Sequence, residues 1–379
     1  MRKIKKSYYT IIIFFILILS ITLATLIIPS VKFSEYENRI LTQKPEINIE
    51  NIWNGQFEKD YESYLNDQFV LRNVWIHFKT TIERLIKRES KDIYFAEDNY
   101  FIEQHTDVFT NTTANQNITR LTQFLNQYKY EFAPGHMYVM IIPNAVSILK
   151  DKLPPYSSPY DETIYLNKIA QSIPTETWID TFQTLSSHKN EELYYRTDHH
   201  WKTLAAFYVY QQWVKNQGFY IPQKSDYEIK TVTNCFEGTI QSKLGINDVD
   251  DTIEIFLSKK NISYTVYKKD SKKIENTVYN FEALNTKDKY AIYFGGNQSL
   301  ISIQTQLNNR RKILVIKDSY ANCFIPFMID QFQQIDVLDL RYTNQKINEL
   351  IENGEYTDIL ILYNASGFAE DTNIEKLNR

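Results

Sequence analysis

The apolar run Ile313-Leu314-Val315-Ile316 leads straight into Lys317-Asp318-Ser319-Tyr320-Ala321-Asn322. A short apolar run ending in a polar turn reads as a buried strand, and the pattern after it as a helix. Ser319 then sits on the turn between them. There its hydroxyl is exposed, and backbone N–H groups at the helix start aim at whatever it attacks. The same place suits an ordinary helix N-cap, and both readings stand. A serine nucleophile needs a base, and the base an orienting acid. Six histidines are present, two of them adjacent in Tyr195-Arg196-Thr197-Asp198-His199-His200-Trp201-Lys202. Asp198 and His200 are two apart, so on an extended or turn backbone they share a face and can pair. His199 points elsewhere and reads as structural or surface, while Trp201 packs as a wall. Asp198 with two imidazoles also invites a metal, but a di-metal site needs further Asp or His clusters that the sequence lacks. No metal and no cofactor is expected.

These residues need a scaffold that brings them together across some 120 positions. Over the last 70 residues strands at Ile313 to Lys317, Ile335 to Leu340 and Ile359 to Tyr363 alternate with helices at Tyr320 to Phe332 and Asn344 to Asn353. That is a parallel, right-handed βαβαβ unit, whose chemistry sits beyond the strands' carboxyl ends. Ser319, Arg341 and Asn364 therefore line one crevice, with Tyr342 close by. Upstream, Asp92 to Phe101 reads as a hairpin and Ile118 to Tyr130 as a helix. Met137 to Pro143 reads as a buried strand, Thr177 to Thr181 and Leu193 to Arg196 as short strands, and Thr203 to Val214 as a helix. Residues 222 to 310 carry short β-type runs without a convincing helix and read as a β-rich insertion. Residues 32 to 90 read as a membrane-proximal helical region, and 91 to 379 as the catalytic domain.

Residues 1 to 31 are a cytoplasmic tip and an apolar segment. Ile11 to Ile28 is broken only by Ser20, Thr22 and Thr25, long enough as a helix to span a bilayer. Arg2, Lys3, Lys5 and Lys6 precede it, which keeps the N-terminus inside. A cleaved signal is the rival reading, although no clear cleavage site follows. Either way the rest of the chain is extracytoplasmic. It carries 38 basic and 46 acidic residues, against 42 and 46 for the whole chain, a balance that argues against nucleic-acid binding. Only 9 Gly, 10 Pro and 2 Cys among 379 residues exclude collagen-like, disordered and disulfide-scaffold classes. Cys235 and Cys323 form no metal motif, and whether they pair is open.

The string Asp198-His199-His200-Trp201 resembles the signature of the bacterial DHHW proteins, which are themselves similar to the SGNH-hydrolase-like acetyltransferases of alginate O-acetylation. Other segments match in order. They are Glu37-Asn38-Arg39 with Leu41, Phe57 through Asp67-Gln68-Phe69 to Arg72, Ile142-Pro143-Asn144 with Lys152-Leu153-Pro154, Phe236-Glu237-Gly238-Thr239, and Lys317-Asp318-Ser319. The resemblance implies an SGNH-like, flavodoxin-like α/β fold with a parallel sheet, helices on both faces and a circularly permuted motif order. It implies a triad of Ser319 as nucleophile, His200 as base and Asp198 as orienting acid. Lys317-Asp318-Ser319 replaces the usual Gly-Asp-Ser, and Tyr363-Asn364-Ala365-Ser366 the usual Gly-x-Asn-Asp. Oxyanion or substrate contacts then fall to the Ser319 N–H and to Asn364, Arg341, Tyr342 and Trp201, with Gly295-Gly296-Asn297 a turn near by. The implied function is a membrane-anchored extracytoplasmic O-acetyltransferase acting on a cell-surface polysaccharide. A membrane-bound O-acyltransferase would supply the acyl group. An esterase with the same triad and a non-catalytic envelope scaffold are the alternatives.

Overall fold

The computed structural model describes residues 2–34, 39–86, 89–155 and 157–378. Glu37 and Asn38 of the membrane-proximal motif lie outside the described residues. The chain divides into two compact units.

The first unit holds residues 1–86 and 242–246. Helix α1 (Arg2–Ile27) contains one stretch, Tyr8–Thr25, long and apolar enough to cross a membrane. Helices α2 (Gln56–Gln68) and α3 (Arg72–Leu85) follow. The Val31 N–H donates to the Gln68 side chain at 2.9 Å, and Gln68 donates back to Val31 O at 2.9 Å. Arg39 forks onto Asp67, whose carboxylate also takes the Thr42 N–H at 2.8 Å. Asp67 and Gln68 therefore tie the end of α2 to the segment that leaves α1.

The second unit is mixed α/β around a seven-stranded sheet. In chain order its main elements are helix α4 (Thr112–Tyr128), strand β1 (Met137–Ile142), helix α5 (Glu162–Ser172) and helix α6 (Thr203–Asn216). The β-rich stretch supplies β2 (Tyr227–Phe236), β3 (Asp251–Ser258), β4 (Tyr264–Lys268), β5 (Lys273–Glu275) and β6 (Leu300–Thr305). The chain ends with β7 (Lys312–Lys317), β8 (Gln334–Leu338), helix α7 (Ile347–Gly354), β9 (Asp358–Asn364) and helix α8 (Ala365–Glu370). Sheet order is β1-β9-β7-β8-β6-β4-β5. The first four strands are parallel, as the βαβαβ reading expects, with Ile316 beside Leu338 and Lys317 beside Leu362. The sheet as a whole is mixed, not parallel, because β6, β4 and β5 extend it antiparallel. Strands β2 and β3 pair as a separate hairpin.

Alternate residues of the central strands enter two cores, one on each face. Ile313, Val315, Leu360 and Leu362 meet α6 residues such as Phe207, Tyr210 and Trp213. Leu314, Ile316, Ile359 and Ile361 meet Leu121, Phe124 and Leu125 of α4 with Phe368 of α8. Burial on both faces is why these strands read as continuous apolar runs.

Several elements depart from expectation for local reasons. The long helix expected from Tyr320 to Phe332 is a 3₁₀ turn, Ser319–Cys323, followed by one short helix, Ile325–Met328. Pro326 has no N–H to continue the ladder. The strands expected near Thr177 and Leu193 shrink to single bridges, Val139 with Trp178 and Tyr194 with Trp201. Helix α4 starts earlier than expected because Asn111 caps it, accepting the Ala114 N–H at 2.8 Å. A helix, Thr239–Leu244, and 3₁₀ turns at Phe281–Asn285 and Lys289–Ile292 interrupt the β-rich stretch.

Candidate active site

The segment from Leu193 to Lys202 closes on itself. Lys202 N–H donates to Leu193 O at 2.7 Å and Tyr195 N–H to His200 O at 3.2 Å. Asp251, first residue of β3, accepts the N–H groups of Arg196 (3.0 Å) and Thr197 (2.8 Å) and the Thr197 hydroxyl (2.7 Å). The hairpin thus pins the loop that carries the histidines.

Within it Asp198 Oδ1 accepts the His200 backbone N–H at 3.0 Å and lies 2.5 Å from His200 Nδ1. Asp198 Oδ2 accepts the Thr239 N–H at 2.8 Å and its hydroxyl at 3.0 Å. An ionised carboxylate only accepts, so His200 Nδ1 carries the proton and Nε2 the lone pair. Nε2 faces Ser319 Oγ at 2.8 Å. Burial pushes the Asp198 carboxyl up, but the neighbouring imidazoles and the hydrogen bonds from His200 and Thr239 outweigh it and hold the group well below the usual range. Burial pushes the His200 imidazole down, as does His199, to about 4 despite the pull of Asp198. A neutral imidazole between an ionised carboxylate and a serine hydroxyl can take that hydroxyl's proton. Ser319 is half-buried.

Gly238 allows this closeness. A Cβ there would stand 2.3 Å from Asp198 Cβ and 2.5 Å from Thr197 O. Its N–H donates to Thr197 Oγ1 at 2.9 Å.

Further contacts join the histidine loop to the serine turn. The Trp201 indole N–H donates to Tyr320 O at 2.8 Å, and the Tyr320 hydroxyl donates to His199 O. The Tyr290 ring lies flat on the His200 imidazole, centroids 3.8 Å apart and planes 16° off parallel, and its hydroxyl reaches Ser319 O at 3.2 Å. Ser319 and His200 are therefore fixed by their surroundings as well as by each other.

At the strand ends Asp318 accepts the N–H groups of Tyr320 (2.9 Å) and Asn364 (2.8 Å). Burial pushes its carboxyl up to about 6 against those bonds. Asn364 Oδ1 accepts the Gly367 N–H and the Ser366 hydroxyl (3.3 Å), so its amide is held oxygen-inward. A Cβ on Gly367 would lie 2.7 Å from that oxygen. Ser366 also reaches Asn144 Oδ1, and Asn144 donates twice to Glu162 at 2.9 Å. The Ser319 N–H and the Asn364 Nδ2 take no part in these bonds.

Ser319, His200 and Asp198 form one contiguous line, and Asp318 ties Asn364 to the same turn. Arg341 forks onto Asp339 at 2.9 and 2.7 Å, and buried Lys317 reaches Asp339 at 3.4 Å, Asn322 at 2.8 Å and Asn297 at 3.2 Å. The Arg341 charge acts on both His200 and Asp318. Tyr342 is 55% exposed, and its described ring contact is to Arg341. Trp201 differs from expectation: it is wholly buried and packs beneath the serine turn, not as a wall of the crevice. Asp198, His199 and His200 have ligand atoms within 4.8 Å of one another, but a metal there would displace the Asp198–His200 and Asp198–Thr239 bonds. The sequence reading gave no role to Thr239, Tyr290, Tyr320 or Asp251. Only Thr239 carried a signal, inside the Phe236-Glu237-Gly238-Thr239 string.

A family model described as DHHW protein matches residues 103–338. No curated protein matches the sequence. Among solved structures, a DHHW family protein from Eubacterium siraeum DSM 15702 superposes with a TM-score of 0.65 at 22% identity, covering 77% of this chain and 96% of that one. Bacillus cereus PatB1 with a sulfonyl adduct gives 0.62 at 21%, covering 75% and 99%. The O-acetyltransferase domain of Pseudomonas putida AlgJ is more distant, at 0.43 and 10%, covering 76% and 99%. The first two likenesses show a shared fold.

Proposed function

This chain belongs to the DHHW family, and from that premise we propose that it is an extracytoplasmic O-acyltransferase, an O-acetyltransferase of a cell-surface polysaccharide, held to the membrane by α1. In this reading the second unit is a permuted SGNH-type domain. The observation that carries it is the line Asp198–His200–Ser319, 2.5 and 2.8 Å, at the carboxyl ends of parallel strands. A sulfonyl adduct is a covalent one, and PatB1 shares the fold and carries one.

The chemistry follows from the geometry. Ser319 Oγ attacks the acyl carbonyl carbon while its proton passes to His200 Nε2. Asp198 stabilises the imidazolium. The tetrahedral intermediate collapses, the bond to the leaving group breaks, and His200 returns the proton to that group. A sugar hydroxyl then repeats the sequence on the acyl-serine, its proton passing through His200 to Ser319 Oγ. The Ser319 N–H and Asn364 Nδ2 stabilise both oxyanions, each donor contributing about 3 kcal/mol. A membrane-bound O-acyltransferase delivers the acyl group from inside, and no cofactor enters.

The test supplies the purified full-length protein with an activated acetyl ester and a panel of envelope oligosaccharides. Acetate release should fall as acetylated oligosaccharide appears, with both lost in Ser319→Ala. Acetate release that no acceptor diminishes would favour the esterase. Cells whose surface acetylation is unchanged by Ser319→Ala would favour a scaffold.

A further inference from the structure

Helix α3 is amphipathic the wrong way round for a soluble unit. Leu71, Val74, Trp75, Phe78, Ile82 and Leu85 are 42 to 77% exposed. At 3.6 residues per turn they fall within a stripe about 100° wide. The opposite side is the one that packs. Thr80 is buried and donates its hydroxyl to Leu244 O at 2.7 Å, within the same unit. Some covering must come from outside the described chain, because a contiguous apolar stripe of this kind marks an interaction surface.

We infer that this stripe lies on the lipid bilayer, as an interfacial helix on the outer leaflet. The inference rests on the proposed membrane anchor. The stripe starts where the anchor ends: Ile28 and Val31 line one cavity of about 780 Å³ with Phe69, Leu71 and Val74. Val31 is bonded in both directions to Gln68, three residues before Leu71, so the start of α3 is held at the point where the chain leaves the apolar helix. The side chains are those of an interfacial helix, Trp, Phe, Ile and Leu on one face. Arg72, Lys79 and Arg84 against a single Glu83 give the helix a basic balance suited to anionic headgroups. A bilayer covers the whole stripe without a shaped partner, and it orients the first unit on the membrane surface.

The test reconstitutes the full-length protein in vesicles of phosphatidylcholine and phosphatidylglycerol, with bromine on acyl carbons just below the headgroups. Tryptophan quenching is compared between wild type and Trp75→Tyr, and again in Phe78→Glu/Ile82→Glu, which alters only exposed positions. The quenched share assigned to Trp75 should be large in wild type and fall at least twofold in the double variant. Unquenched Trp75 would overturn the inference and give the stripe to a protein partner. Alkaline carbonate extraction of the same vesicles reads the anchor separately: resistance keeps it, release removes it, and Trp75 quenching decides the interface in either case.

Discussion

In the proposed mechanism His200 acts as a base only while neutral, and its surroundings decide when that is. Burial and the neighbouring His199 push its imidazole down to about 4 from an ordinary 6.5, and Asp198 offsets this only in part. The competent form is therefore present throughout neutral pH and is lost as pH falls through about 4. Acyl-enzyme formation should fall by a His200 limb near pH 4, distinct from any limb near 6 that Asp318 adds beside the nucleophile. Stopped-flow rates with an activated ester across both limbs check it. A limb near 6.5 that persists in Asp318→Asn, with none near 4, would mean that the His200 ring is open to water despite the Tyr290 ring lying on it. Asp198 stays ionised across the whole window, so it contributes no limb of its own.

At the scale of elements, the site is a junction of three segments far apart in the chain: the histidine loop, the Gly238–Thr239 cradle and the serine turn. The tightest fit is at Gly238. Gly238→Ala would drive a methyl into Asp198 and Thr197 O, displace the carboxylate and lower the acylation rate by about 100-fold or more. A wild-type rate in that variant, with the melting temperature also unchanged, would show that the cradle does not hold Asp198. Part of this junction was legible in the sequence. The run Ile313 to Ile316 ending at Ser319 pointed to a buried strand and a turn, with nucleophile and helix cap both open for Ser319, and two-residue spacing pointed to the Asp198–His200 pair. Thr239 and Tyr290 were not legible as partners, because which loops meet depends on packing across 41 and 90 positions, and no local period encodes it. The antiparallel strands β4 to β6 escaped for a related reason. Their alternation shows a strand, but not which sheet edge it joins. The helix read over Tyr320 to Phe332 overlooked Pro326, where the structure breaks it into a 3₁₀ turn and a short helix.

Across the whole molecule, an apolar helix is followed by a chain whose two cysteines form no disulfide. Cys235 is exposed and Cys323 is buried, both unpaired, and burial pushes the Cys323 thiol up to about 12. Iodoacetamide should therefore label native protein once, at Cys235, and reductant should leave the melting temperature unchanged. A second label under native conditions would mean that the core beneath the serine turn opens. The central claim concerns the line from Asp198 through His200 to Ser319. The most direct measurement incubates the full-length protein with an activated acetyl ester, then maps acetylated peptides by mass spectrometry beside Ser319→Ala and His200→Ala. The account predicts acetyl on Ser319 in wild type and in neither variant. No adduct and no ester turnover in wild type, or equal acetylation of Ser319 in His200→Ala, would contradict it.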